Sequence, residues 1–246
     1  MLHAKPKAKC GEKRAAVGGL LAVDGTDIAV RIRLHPRARR IVVRVHPGTG
    51  EVIVTAPSRG GAGPALAFAR RQAPWIAGQL KHLPAPVALT PGASVPYRGV
   101  NHPIRHVRAK GPAPVWTEDG VLLVSGQVEH AGRRLVDFFK REARRQFAAR
   151  ALDYAARLGA RPSRITVRDT KSRWGSCNTR GALSFCWRLI FAPEFVWDYV
   201  VAHEVAHLEE MNHSPRFWAR VRSLAPEISR ARQWLRDHGR TLLRYN

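Results

Sequence analysis

Cysteine is scarce in this chain of 246 residues: the three copies, at positions 10, 177 and 186, are an odd number and form no C-x-x-C pair. That excludes a disulfide framework and a zinc ribbon, and it fits a reducing, cytoplasmic setting. Long apolar runs are also missing. The longest small or apolar stretch, Ala15 to Val23, is about half of what a bilayer requires and holds two glycines. No transmembrane helix is expected, hence no membrane partner. The Lys-rich start (Lys5, Lys7, Lys9, Lys13) runs through that stretch into Asp24-Gly25, without a secretory core. Acidic residues are few, 18 against 42 Lys+Arg, for a net charge of +24. Such an excess favours polyanions, so nucleic acid is a possible partner for the basic surface. Yet 34 of the basic residues are Arg and only 8 Lys, which a compositional bias would also produce. No internal repeat is visible at periods of about 20 to 50 residues.

What is present is a globular composition, 45% hydrophobic, at a length that suits one large domain or two modest ones. Residues 1–18 are basic and aperiodic and read as a flexible tail. Residues 28–34, 41–45 and 52–55 are β-branched runs that predict a small antiparallel meander, with a basic turn, Pro36 to Arg40, after the first strand. Helical spacing returns from Pro64 to Leu83, divided at Pro74, and five prolines between 84 and 103 forbid long elements. Short strands follow at Val107, Val115-Trp116 and Val121 to Val124, with a hairpin turn at Asp119-Gly120. Arg133 to Gly159 predicts a long helix whose arginines lie mostly off its apolar stripe. Strands at 165–167 and 182–190 precede helices at 193–212, 215–224 and 228–238. The expected organisation is therefore α+β: a tail (1–18), an amino-terminal β-rich module (19–128) and a carboxy-terminal, mostly helical unit with a short sheet (129–246).

The chemistry is concentrated in Asp198 to His213, which contains H-E-x-x-H. On a helix, His203 and His207 share one face and can reach one ion, while Glu204 lies about 100° around, close enough to hold a metal-bound water without ligating the metal. With 11 His and 10 Glu in the chain, about 0.02 such matches are expected by chance. A catalytic zinc needs a third protein ligand. His213, six residues after His207, is the favoured one, and Glu227, twenty residues after it, is the alternative. Asn212 and Pro215 are expected to end the helix and turn the chain back on the metal. From Phe191 to Pro215 there are five acids and no Lys or Arg, which suits a divalent cation or a patch that neutralises the Arg-rich helix. Cys177 reads as a buried small residue rather than a ligand or nucleophile.

Four blocks in order resemble the YgjP-like metallopeptidases, relatives of the SprT-like and WLM zinc proteases with a gluzincin-like minimal zincin core. They are Arg173-Trp174-Gly175-Ser176-Cys177, Trp187-Arg188-Leu189-Ile190, Tyr199 to Leu208, and Asn212-His213-Ser214-Pro215 with Phe217-Trp218. The resemblance is dense over residues 130–245 and looser over 25–125. It implies Zn2+ held by His203, His207 and His213, Glu204 as general base, and a protein or peptide as substrate. It also implies that strand 182–190 packs beside the metal helix and offers its edge to an extended substrate, with Phe217 and Trp218 packed behind the site. Phe185-Cys186 departs from the family pattern, where a polar or aliphatic pair often ending in Asn is expected. The SprT-like relationship raises an alternative, a DNA-associated protease acting on DNA-bound proteins. A pseudoenzyme with structural zinc is disfavoured because it has no need of Glu204. The oxyanion donor stays open among Arg173, Tyr199, His238 and Tyr245.

Overall fold

A computed structural model describes residues 16–23, 26–46, 50–81, 87–108, 111 and 113–245. Most of the expected basic tail lies outside these residues. The chain divides into two compact units, Met1–Leu83 and Pro84–Asn246, whereas the sequence placed the break after residue 128.

In the first unit the strands β1 (Ala16–Val23), β2 (Thr26–His35), β3 (Val42–Val45) and β4 (Val52–Pro57) form one sheet in the order β1-β2-β4-β3. The apolar run that fell short of a membrane span is therefore strand β1. The expected meander is not formed, because β4 inserts between β2 and β3 and runs parallel to β2. Alternation on β4 buries Val52, Val54 and Ala56, which suits a central strand, while Arg44 keeps β3 at an edge. Two helices, α1 (Ala62–Arg71) and α2 (Ala73–Lys81), cover the sheet with Ala65, Ala69, Ile76 and Ala77. Pro74 divides them as expected, sitting in the first turn of α2, where a missing N–H costs nothing.

The second unit opens with a sheet of the same plan: β5 (Ser94–Tyr97), β6 (Val100–Val107), β7 (Val115–Glu118) and β8 (Val121–Ser125) in the order β5-β6-β8-β7, with β6 and β8 parallel. Each four-stranded sheet is followed by a short 3-10 turn and then a helix, so the chain contains a repeated module at a period longer than about 50 residues. Asp119 and Gly120, both at positive φ (47° and 74°), make the β7–β8 turn. Here the following helix, α3 (Ala131–Arg157), is far longer than α1. Val95, Ile104, Leu122 and Val124 share a core with Leu135, Phe139 and Phe147 of α3, which is why the unit boundary falls ahead of this sheet.

Beyond α3, which ends at Gly159 in the left-handed region (φ 70°), come β9 (Arg164–Arg168), β10 (Gly175–Cys177) and β11 (Ala182–Cys186) in the order β10-β11-β9. The strand expected to reach residue 190 stops at Cys186. Trp187 to Phe191 are all buried, a demand that an alternating strand does not meet, and they form a 3-10 turn instead. Arg188 in that turn is only 2% exposed and is held by Asp169 and by the Tyr245 carbonyl. Helices α4 (Glu194–Ala206), α5 (Pro215–Leu224) and α6 (Ile228–Leu242) complete the unit. Among the described residues no helix is long and apolar enough to cross a membrane.

Candidate metal centre

The site is built on the last turn of α4. Val196, Trp197, Val200, Val201 and Val205 are buried on the helix, and His203 packs against the rings of Phe217 and Trp218 of α5. The helix ends at Ala206, six residues earlier than expected. Leu208 donates to the Val205 carbonyl and Glu209 and Glu210 to that of Ala206, tightening the chain into a turn. His207 therefore stands at the C-cap. The chain returns through Asn212, whose Oδ1 accepts from the Ser214 amide, and Ser214 caps α5 by accepting from the Phe217 amide, with Pro215 in the first helical position. That reversal delivers His213.

One ligand atom from each of His203, His207 and His213 lies within 4.8 Å of the other two. The Nε2 atoms of His203 and His213 are 3.2 Å apart, against about 3.3 Å for two nitrogens on a tetrahedral cation at 2.0–2.1 Å. His207 Nδ1 is 3.0 Å from the Glu210 carbonyl, so that an Nδ1–H donated there leaves Nε2 free to face the others. Phe217 is fully buried behind the cluster, its ring centroid 4.9, 4.5 and 4.7 Å from those of His203, His207 and His213. Burial, followed by its two histidine neighbours and Arg232, pushes His203 down to about 4, and burial also lowers His207. Neutral imidazoles are the form a cation requires. The described residues thus fit a divalent metal. Glu227 is elsewhere, paired with Arg230 at 2.5 Å.

Glu204 is 7% exposed. Burial pushes its carboxyl up to about 7, against the pull of the Cys177 amide, which donates to it, and of Arg173. The carboxylate lies where a side chain on residue 175 would stand: a Cβ on Gly175 would come within 2.5 Å of Glu204 Cγ and 2.6 Å of Oε1. Strand β10 and the Glu204 carboxyl therefore touch only because residue 175 is glycine, a role that sequence reading missed although a lone glycine in a strand is the signal for such an approach. Trp174, Gly175, Tyr199, Val200, His203, Glu204 and Leu235 line a cleft of about 220 Å³. Of the four oxyanion candidates only Tyr199 lines it. Tyr245 packs on Phe191 with ring centroids 4.6 Å apart, His238 on Trp234 at 5.0 Å, and Arg173 acts on the site through charge. Arg232, also unforeseen, lies over the Trp218 ring at 5.6 Å and acts electrostatically on His203 and Tyr199.

The run of acids around the motif is mostly a neutralising patch. Glu194 and Asp198 pair with Arg150 of α3 at 2.8 and 2.5 Å and Glu209 with Arg220 at 2.8 Å, leaving Glu204 as the acid in the cleft. Cys177 is half-buried, its thiol pushed up to about 11 by burial and then by Glu204, and it stays outside the histidine cluster. Strand β11 is paired on both sides, by β10 and β9, so it has no edge to offer; among the described residues no strand pairs with the other side of β10, where the Cys177 amide donates to Glu204 of α4.

No curated protein matches the chain. Among solved structures, the crystal structure of the metallopeptidase zymogen of Pyrococcus abyssi abylysin is similar at 21% identity and a TM-score of 0.32, covering 37% of this chain and 93% of that one. The model of the YgjP-like metallopeptidase domain matches residues 39–238, most of both units and the whole of the histidine cluster. By that match the chain belongs to the YgjP-like family of metallopeptidases.

Proposed function

We propose that the chain is a zinc-dependent peptidase in which His203, His207 and His213 hold Zn2+ and Glu204 is the general base. The observation that carries this reading is the convergence of three imidazoles within 4.8 Å beside a buried carboxylate in an open cleft. Three imidazole ligands favour zinc over harder cations, which prefer oxygen ligands. Bound there, zinc supplies Lewis acidity, lowering the pKa of a water toward neutrality and polarising a carbonyl.

The protein's own groups do the rest. Glu204, with a carboxyl near neutrality, takes the proton of the attacking water and later delivers it to the leaving amine. The Cys177 amide holds that carboxylate in place from β10. An extended peptide adds to the outer edge of β10, and its scissile carbonyl is thereby presented to the cleft. Burial raises the Tyr199 hydroxyl pKa, so it stays protonated at neutral pH, and we assign it as donor to the substrate's carbonyl oxygen.

The test is metal content and peptide hydrolysis in wild type, His203→Ala and Glu204→Gln. About one zinc in wild type, lost in His203→Ala but kept in an inactive Glu204→Gln, supports the mechanism. A fully active Glu204→Gln, or wild type that takes up no metal, overturns it.

A further inference from the structure

The catalytic sheet has a second free edge, and its surroundings are of a different kind. Strand β9 pairs with β11 on one side, and among the described residues no strand pairs with its other side. Period-two alternation puts Ile165 and Val167 against the core and Arg164, Thr166 and Arg168 on the opposite face. Beside this strand runs a groove of about 350 Å³, lined by Arg144 of α3 and by Arg164 to Arg168. Among the described residues no acidic side chain and no aromatic ring lines it.

The three arginines differ from their neighbours. Along α3, Arg145 is held by Glu142, Arg150 by Glu194 and Asp198, and Arg157 by Asp153 and the Ser223 carbonyl. For Arg144, Arg164 and Arg168 no ion pair or hydrogen bond is found among the described residues. Three uncompensated guanidiniums thus face one groove beside open main-chain donors and acceptors.

We propose that the outer edge of β9 is a docking groove for an acidic, extended peptide segment. An added strand satisfies the edge's backbone groups, and carboxylates on alternate residues reach Arg164 and Arg168, which stand about 13 Å apart on the strand. Arg144 takes a further carboxylate from the helix side. A nucleic acid leaves the backbone groups unused and finds no ring to stack on. A second copy of this chain, itself at +24, is repelled. The groove therefore admits an acidic strand and rejects the protein's own edges. That the segment belongs to a protein substrate rests on the peptidase reading; the binding itself does not.

The experiment is fluorescence anisotropy with a labelled peptide of about ten alternating Glu and Thr residues, in the Glu204→Gln background so that peptide cleavage and binding are separate questions. Saturable binding is expected, weakened about tenfold or more by the Arg164→Glu/Arg168→Glu pair and by Arg144→Glu. A peptide of the same charge but N-methylated at alternate residues is expected to lose binding, because it cannot pair along the edge. Unfolding midpoints of the variants establish that they are folded. Equal binding by the methylated peptide, equal binding by the folded charge-reversed variants, no binding of the acidic peptide, or a duplex oligonucleotide binding at these arginines in its place each overturns the proposal.

Discussion

Among the described residues the three-stranded sheet has two outer sides without a partner strand, and they lie in opposite surroundings. Along β10 the neighbours are an apolar cleft, a buried acid and a histidine cluster; along β9 they are arginines and solvent. Chain composition at the edge explains the contrast. β10 is only three residues long and opens with a glycine that lets Glu204 press against it, so this side sets main chain against a buried carboxyl. β9 is five residues long with an arginine at each end, so this edge presents charge instead. An edge strand is a liability unless its neighbours limit what may pair with it, and the neighbours on the two sides of this sheet differ.

If that contrast holds, the largest effects come from the β10 side. Glu204→Gln is expected to lower peptide hydrolysis about 10² to 10⁴-fold with zinc retained, measured by kcat and metal content. Gly175→Ala comes next: its Cβ has no room beside Glu204 Cγ and Oε1, at 2.5 and 2.6 Å. We expect a loss of stability of about 1–3 kcal/mol, read by denaturant unfolding, and a fall in kcat with metal content unchanged. Unaltered kcat in that variant sinks the role given to the glycine.

Between the edges, the Asp169–Arg188 pair ties the end of β9 to the turn after β11. Arg188 is buried and Asp169 is about half exposed, so Asp169→Asn is expected to cost about 2 kcal/mol. Burial pushes the Asp169 carboxyl up, but the Arg188 guanidinium outweighs this and holds it below its ordinary 3.8. A depressed carboxylate contributes stability above its ordinary value and loses it as pH falls through the lower, folded one. The gap between wild type and Asp169→Asn is therefore expected to be full at pH 6 and to close below about pH 4 in unfolding curves. Smallest is the β9 edge: Arg164→Glu with Arg168→Glu is expected to raise KM about tenfold for a substrate carrying a remote acidic segment. For a short neutral peptide the same pair is expected to leave kcat/KM within about twofold.

Much of the second unit was legible because its signals are local. His203, Glu204 and His207 are set by helical spacing, the long helix by its apolar stripe, and the Asp119-Gly120 turn by backbone permissiveness. What was missed depends on partners distant in the chain. The parallel pairing of β2 with β4 and the membership of β5 to β8 in the second core arise from which apolar faces meet, not from the strands' own patterns. Strand β11 ended early because the five residues after it are buried together, and α4 ended early because backbone bonds at Leu208 to Glu210 tightened its last turn.

By itself, the sequence determined the α+β class, the helix that carries the motif and the two histidines one turn apart, since spacing along a helix needs no partner. Only the tertiary structure decided that His213 rather than Glu227 joins them, that Gly175 makes room for Glu204, and which strand edges stay open. Those outcomes depend on distances between segments far apart in the chain, which packing sets and local propensity does not.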